Sequence, residues 1–219
     1  GYMALGVGFA GLVWWQLGEA AGIQYLTGFV VEKSLALDNV FVIALIFGFF
    51  AVPRRYQHRV LFWGILGVIV LRAIMIGVGA AVVSQFSWVL YIFAAFLVAT
   101  GIKMLWMIDN MPDIGNNPLL KLMRNRMRVT DQLHGNQFFV RLPVSDAPGA
   151  KTAVWATPLF FALVLVEFAD VIFAVDSVPA IFAITSDPFI VYTSNIFAIL
   201  GLRALYFALA AMIHRFTYL

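Results

Sequence analysis

Long apolar stretches alternate with short polar connections along most of this chain. A membrane-spanning helix needs roughly 20 mostly apolar residues, and about six stretches approach or exceed that length. They cover residues 2–18, 25–50, 60–84, 88–108, 153–183 and 189–213. The pattern predicts an all-α fold, a polytopic membrane helix bundle.

One long polar segment, residues 109–152, separates the first four stretches from the last two. Within this segment the run 119–133 mixes apolar and basic residues, which predicts a short amphipathic helix at the surface. We interpret the chain as a single transmembrane domain over residues 1–219. Its parts are a leading helix (1–24), a first repeat (25–108), the polar loop (109–152) and a second repeat (153–219).

Composition supports the membrane assignment. Of the 219 residues, 63% are hydrophobic and only 11% are charged, and the mean hydropathy is +0.95. A soluble domain is closer to half apolar and about a quarter charged, so the lipid bilayer is the expected surrounding of this chain. Cysteine is absent, which excludes a disulfide framework and a thiolate metal site within these residues.

The distribution of lysine and arginine predicts the orientation of the spans. Connections 52–59 and 109–152 carry these basic residues, whereas connections 19–24, 85–87 and 184–188 carry none. Because cytoplasmic loops are enriched in lysine and arginine, the two basic connections and the C-terminal end are predicted to face the cytoplasm. We interpret the basic cluster of the polar loop in this way and expect no nucleic-acid partner.

Two of the predicted spans contain related acidic motifs, in which an acid is followed after five residues by Asp and then by a small polar residue. The polar residues concerned are Glu32, Asp38 and Asn39 in the first span, and Glu167, Asp170, Asp176 and Ser177 in the second. An ionised side chain at the centre of a membrane helix costs roughly 2.5–3.5 kcal/mol. Such carboxylates therefore indicate a functional site.

The two motifs are predicted to run in opposite directions across the bilayer. Span 25–50 runs from outside to inside, and span 153–183 runs from inside to outside. Arg72 and Arg203 occupy matching Leu-Arg-Ala sequences in the spans that follow, and those spans are also antiparallel. This pattern is typical of an inverted-topology repeat of three-helix units. The second unit lacks a third helix here, and we expect the natural protein to continue.

Spacing predicts which polar side chains share a helix face. Glu32 and Asn39 are seven residues apart and lie on one face, whereas Asp38 is displaced from Asn39 by about 100°. Asp170 and Ser177 repeat the seven-residue spacing. Pro179 removes a backbone donor near the second motif, so we expect a kinked or broken helix at each acidic motif, with free carbonyl oxygens facing the site.

Carboxylate, amide and hydroxyl oxygens suit a hard divalent cation such as Mn²⁺, Mg²⁺ or Ca²⁺. The candidate metal ligands are Glu32, Asp38, Asn39, Glu167, Asp170, Asp176 and Ser177. Arg72 and Arg203, close to the middle of their spans, are predicted to pair with these carboxylates and to balance their charge. The alternative for every such residue is a buried ion pair that only fixes helix packing. Asn195 is predicted to hydrogen-bond between helices.

Several stretches carry a specific resemblance. They are residues 25–40, 70–76, 138–141, 167–183 and 185–207. These stretches resemble the TerC family of integral membrane proteins, within the LysE-type transporter group, and especially its bacterial Alx branch. Members of the family usually have further helices before the start and after the end of this chain.

The resemblance implies a multi-pass protein of the bacterial inner membrane that exports Mn²⁺ from the cytoplasm, with residues 109–152 on the cytoplasmic side. The acidic positions of the family fall on Glu32, Asp38, Glu167, Asp170 and Asp176. The residues alone fit Ca²⁺ and Mg²⁺ as well as Mn²⁺, and they leave the oligomeric state open.

The function hypothesis is therefore a divalent-metal exporter that works by alternating access, with proton uptake as a hypothetical driving step. The alternative is a non-transporting membrane scaffold or a metal-sensing protein, in which the buried polar pairs only fix helix packing. No enzymatic activity is expected, because an intramembrane metal-dependent hydrolase would need metal-ligating histidine or a positioned nucleophile, and the predicted spans contain no such histidine.

Overall fold

A computed structural model describes residues 1–106, 114–115, 117–144, 151–202 and 204–209, without the side chains of Met104, Leu105 and Asp176. Helices dominate, which confirms the all-α membrane-type fold. In chain order the elements are α1 (Tyr2–Leu17), α2 (Glu19–Phe49), α3 (Arg54–Gln85), α4 (Val89–Trp106), α5 (Pro118–Arg126), β1 (Phe139–Pro143), β2 (Thr152–Ala156), α6 (Pro158–Phe182) and α7 (Pro188–Leu200).

Helices coincide with the predicted spans. Within the described residues, three are long and apolar enough to cross a membrane: α3, α6 and the last helix, which reaches Leu209 when the helical residues after Gly201 are included. Helix α1 and the part of α4 from Val89 to Lys103 are apolar but shorter. Helix α2 has 31 residues, but its charged side chains lower its hydropathy. The number of spans and the inverted repeat remain predictions.

Helices α1 and α2 are separated only by Gly18. Its φ of 91° lies in a region that glycine enters without steric cost, and its N–H donates to the Trp14 carbonyl at 3.0 Å. The residues interpreted as the connection 19–24 are therefore the beginning of α2. Glu19 lies in the first turn of this helix, where the helix dipole favours a negative charge.

The predicted span 153–183 begins later than expected. Residues Thr152–Ala156 form β2, which pairs antiparallel with β1 in the register Phe139 to Ala156. A short apolar run looks the same in a strand as in a buried helix, and the strand therefore escaped prediction. Helix α6 begins at Pro158, a residue suited to the first helical turn.

The predicted amphipathic helix 119–133 exists but is shorter. Helix α5 ends at Arg126, and Met127 has extended backbone angles. The reason is pairing with β2, since the Ala156 N–H donates to the Arg128 carbonyl at 2.8 Å and the Thr130 N–H donates to the Ala156 carbonyl at 3.0 Å. Residues 128–130 form these two backbone hydrogen bonds in an extended conformation, so the helix ends before them.

Neither helix is broken at its acidic motif, and the alternative of a kink there stays a prediction. Helix α2 runs without interruption from Glu19 to Phe49, and α6 runs from Pro158 to Phe182 with Pro179 inside it. Pro179 is the fourth residue from the end of α6, so the hydrogen bond that it cannot donate to the preceding turn is lost only near that end, and the helix continues to Phe182. An irregularity occurs instead at Gly201, which is not helical although residues on both sides are.

The described chain forms two compact units. The first unit comprises residues 1–41, 65–110 and 169–219, and the second comprises residues 42–64 and 111–168. One apolar cluster of the first unit joins α1, α2 and α7 through Ala10, Val13, Tyr25, Phe29, Ile190 and Ala198. Another joins α3, α6 and α7 through Ile76, Ala174, Val178, Ile181, Phe182 and Val191. The second unit packs around Leu120, Ala156 and Phe161.

Gly79→Ala is expected to destabilise the first unit by about 1–3 kcal/mol, the usual cost of overpacking. A Cβ at position 79 would lie 2.8 Å from the ring of Phe182, which is buried at the end of α6. Thermal unfolding in detergent would measure the effect. Gly77→Ala is the matched control on the same helix, because a Cβ there meets no atom within 4 Å. Equal unfolding temperatures for the two variants would contradict the packing between Gly79 and Phe182.

Candidate cation site

Arg72 is the centre of the polar site in the first unit. It lies near the middle of α3, and only 1% of its surface is exposed. A guanidinium carries five N–H donors in a fixed plane and remains charged in proteins. Burial of such a group is costly unless acceptors surround it. The site therefore depends on the side chains that neighbouring helices direct toward Arg72.

Two carboxylates from different helices bind this guanidinium. Nη1 of Arg72 forms an ion pair with Oε1 of Glu32 on α2, and Glu32 is itself 1% exposed. Asp170 on α6 accepts from Nη2 at 3.1 Å and from Nε at 3.4 Å, one bond to each carboxylate oxygen. This two-point contact fixes both the distance and the plane of the carboxylate.

Amide and hydroxyl groups complete the site. Asn195 Oδ1 on α7 accepts from Arg72 Nη1 at 2.6 Å, and Ser177 Oγ on α6 accepts from the same nitrogen at 3.3 Å. Asn39 Nδ2 donates to Asp170 Oδ1 at 3.3 Å. The Arg72 cluster is the name used below for six residues: Glu32, Asn39, Arg72, Asp170, Ser177 and Asn195. The cluster joins α2, α3, α6 and α7 in the first unit.

Helical spacing explains why α2 supplies two members. Tyr25, Phe29, Glu32, Ala36 and Asn39 are all buried, and they recur at intervals of three or four residues, which place them on one side of a helix. The polar pair therefore continues an apolar stripe that already faces the core. This confirms the prediction that Glu32 and Asn39 share a face.

The charges of the cluster do not cancel. With both carboxylates ionised, the described residues of the cluster carry a formal charge of −1. In addition, Glu32 Oε2 and Asn39 Oδ1 are buried and have no hydrogen-bond partner among the described residues. A buried polar atom without a partner costs about 1–3 kcal/mol. The cluster thus has both the charge and the open oxygen atoms to accept a further cation or a proton.

The structure brings together five of the predicted site residues: Glu32, Asn39, Arg72, Asp170 and Ser177. The predicted pairing of Arg72 with carboxylates is therefore confirmed. The predicted hydrogen bond of Asn195 to another helix is confirmed as well, through its contact with Arg72.

The other predicted residues lie elsewhere. Asp38 is exposed on α2, as expected for a neighbour turned by about 100° from Asn39. Glu167 is partly buried in the second unit, where its Oε1 would lie 3.8 Å from a Cβ at Gly64. The side chain of Asp176 and all of Arg203 fall outside the described residues. Within the described part, no three acidic or histidine side chains gather into a metal-binding group.

Lys33 has a role that the sequence pattern gives no signal for. Its Nζ donates to the Ala198 carbonyl near the end of α7 at 3.0 Å, a position where a cation is favoured by the helix dipole. A Cβ at Gly201 would lie 2.3 Å from this nitrogen, so the glycine leaves the space that Lys33 occupies. Glu32 and Lys33, adjacent in sequence, thus contact two different neighbouring helices.

The chain is similar to a known family of membrane proteins over most of its length. The family described as "Integral membrane protein TerC family" matches residues 17–219. Relatives from Photorhabdus laumondii and Escherichia coli K12 are each 49% identical over 226 residues, covering 100% of this chain and 68% of their own. Both bear the name Alx and a provisional description as membrane-bound redox modulators. An uncharacterised membrane protein of Rickettsia bellii is 47% identical over 218 residues, covering 100% of this chain and 70% of its own. No solved structure matches.

Proposed function

Because this chain belongs to the TerC family of integral membrane proteins, we propose that it exports a divalent metal ion, Mn²⁺ above others, from the bacterial cytoplasm by alternating access. The observation that carries the proposal is the Arg72 cluster. Two carboxylates converge on one buried guanidinium among apolar helices, and within the described part of the chain they outnumber the cations that pair with them. Ionisable groups within membrane helices commonly mark the path of an ion.

The donor atoms favour a hard cation as substrate. Glu32 and Asp170 supply carboxylate oxygens, and Asn39 and Ser177 supply amide and hydroxyl oxygens, the ligand types that Mn²⁺, Mg²⁺ and Ca²⁺ share. The preference for Mn²⁺ rests on the family resemblance. Asp176 joins the proposed ligand set through its place in the second motif, whereas Asp38 and Glu167 would be ligands only if the ion bound outside the Arg72 cluster.

Arg72 acts in this proposal as a tethered counter-cation. Without metal, the guanidinium holds Glu32 and Asp170 together. A divalent ion needs the same carboxylate oxygens, so its entry requires the guanidinium to withdraw. Two carboxylates then balance the two charges of the ion. When the ion leaves, the returning guanidinium neutralises only one carboxylate. Uptake of one proton by the other carboxylate would then remove the remaining negative charge.

Transport by the whole chain in proteoliposomes tests this function. With a Mn²⁺-sensitive dye inside, we expect Mn²⁺ entry to exceed that of protein-free vesicles and to change when a pH difference is imposed. Ca²⁺ and Mg²⁺, supplied as competitors, measure selectivity. Flux equal to that of empty vesicles would contradict transport. Flux that ignores the pH difference would contradict the proton step alone.

A membrane scaffold is the second candidate, and one observation favours it: the Arg72 cluster links four helices through hydrogen bonds, as a purely structural ion pair would. The scaffold predicts no flux and effects of substitutions on stability only. The description of relatives as redox modulators suggests a further role for the family. In these 219 residues there is no cysteine, so thiol exchange has no side chain to perform it here.

A further inference from the structure

Positive charge is concentrated in the second unit. Residues 42–64 and 111–168 contain nine lysines and arginines against four acidic residues, a formal charge of +5. The remaining residues contain five basic and seven acidic residues, a formal charge of −2. A protein surface with such a one-sided charge attracts anionic partners.

Helix α5 exposes many of these cations. Its Asn117 cap accepts from the Leu119 N–H at 2.9 Å, and Leu120, only 2% exposed, packs into the core of the second unit. The helix also exposes Lys121, Arg124 and Arg126, and the exposed Arg128 follows two residues after its end. We call Lys121, Arg124, Arg126 and Arg128 the basic surface.

Apolar side chains are interleaved with the basic surface. Leu122 is 55% exposed and Met127 is 37% exposed. Basic side chains that alternate with exposed apolar ones are typical of segments that lie in the interface of a bilayer. There the apolar side chains enter the acyl region, and the lysines and arginines remain among the headgroups.

Hydrogen bonds tie the segment after α5 to the start of α6. The Ala156 N–H donates to the Arg128 carbonyl at 2.8 Å, and the Thr157 hydroxyl donates to the Gln137 carbonyl at 2.7 Å. Helix α6, which is long and apolar enough to cross a membrane, begins at the next residue. The chain that carries the basic surface is thus fixed beside the end of a membrane-length helix.

Helix α3 provides a second attachment. The guanidinium of Arg59, near the start of α3, lies 5.0 Å from the centre of the Phe138 ring. Helix α3 is also of membrane-spanning length. Because two such helices begin beside the segment 128–138, we expect the basic residues next to it to lie at the level of the lipid headgroups rather than deep in the aqueous phase.

We propose that the basic surface binds the anionic headgroups of the bilayer that the chain spans. Charge complementarity and the attachment to α3 and α6 favour phospholipid over a soluble polyanion. Each lysine or arginine near an anionic leaflet strengthens such binding about fivefold. The contact orders α5 and its flanking residues and fixes the second unit at the membrane surface.

Amide hydrogen exchange over residues 117–130 tests the proposal, with the whole chain in nanodiscs. In phosphatidylcholine mixed with phosphatidylglycerol, we expect exchange on the order of tenfold slower than in phosphatidylcholine alone, with the difference lost at high salt. The triple variant R124Q/R126Q/R128Q should lose the protection, and R124K/R126K/R128K should keep it. Lys103→Gln, a charge loss on α4, should leave it unchanged.

Exchange over β1 and β2 shows in each variant whether the second unit is folded. Equal exchange in the two lipid mixtures, or protection that persists in a folded glutamine triple variant, would overturn the proposal. Equal protection by a soluble polyanion added to phosphatidylcholine nanodiscs would overturn the assignment to lipid. The experiment involves no transport, so its outcome is independent of the proposed export.

Discussion

Arg72→Met is expected to destabilise the protein by about 3–5 kcal/mol, because removal of one partner leaves uncompensated buried charge. Glu32 and Asp170 would remain buried without their shared guanidinium, and Asn195 Oδ1 and Ser177 Oγ would lose a donor. Unfolding followed by temperature or denaturant in detergent measures the loss. Lys103→Met, at an exposed position, controls for the removal of a long cation and should cost little.

A double-substitution cycle separates charge from packing. If the Arg72–Glu32 ion pair carries the effect, Arg72→Met combined with Glu32→Gln should be less destabilised than the sum of the two single variants. Arg72→Lys should lie between wild type and Arg72→Met, because an ammonium keeps the charge but cannot reproduce the two-point contact with Asp170. Stability of Arg72→Met within about 0.5 kcal/mol of wild type would show that the cluster does not hold the helices together.

Asp170→Asn is expected to lower Mn²⁺ flux in proteoliposomes by at least about tenfold, the change produced by a loss of 1.4 kcal/mol in binding free energy. The substitution removes one of the two carboxylates proposed to balance a divalent ion. It keeps the shape of the side chain and leaves Glu32 paired with Arg72, so we expect the protein to stay folded and monodisperse.

Asp38→Asn is the matched control, because it makes the same chemical change within the first acidic motif at an exposed side chain. Its flux should stay close to wild type if the ion binds at the Arg72 cluster. The reverse result, loss of flux in Asp38→Asn and normal flux in Asp170→Asn, would move the site to Asp38 and its counterpart Asp176. Normal flux in both variants would contradict a role of Asp38 and Asp170 in transport.

Hydropathy and helical spacing predicted much of this architecture. The apolar stretches located the helices, because a bilayer demands long runs of apolar residues. The seven-residue interval between Glu32 and Asn39 predicted a shared face, and the buried stripe of α2 confirms it. Glu32 and Asp170 were predicted as site residues because they are charged residues within apolar helices. Burial of a charge is costly, so such residues indicate a functional site.

Other features depend on contacts between distant segments, which local patterns do not contain. Strand β2 exists because Ala156 pairs with Phe139 and bonds to Arg128, and an apolar run alone carries no sign of those partners. The sequence marked Arg72 as a partner for carboxylates without indicating which ones, since that choice depends on how α2, α3 and α6 pack. Pro179 suggested a break, but its effect depends on its distance from the end of α6.

The adjacent contacts of Glu32 and Lys33 have a consequence for motion. Glu32 holds Arg72 on α3, and Lys33 holds the Ala198 carbonyl near the end of α7. Any rotation of α2 about its own axis that withdrew Glu32 from the guanidinium would swing the next side chain away from α7 as well. A rotation that opened the buried carboxylates in this way would therefore also break one of the contacts that hold the last helix.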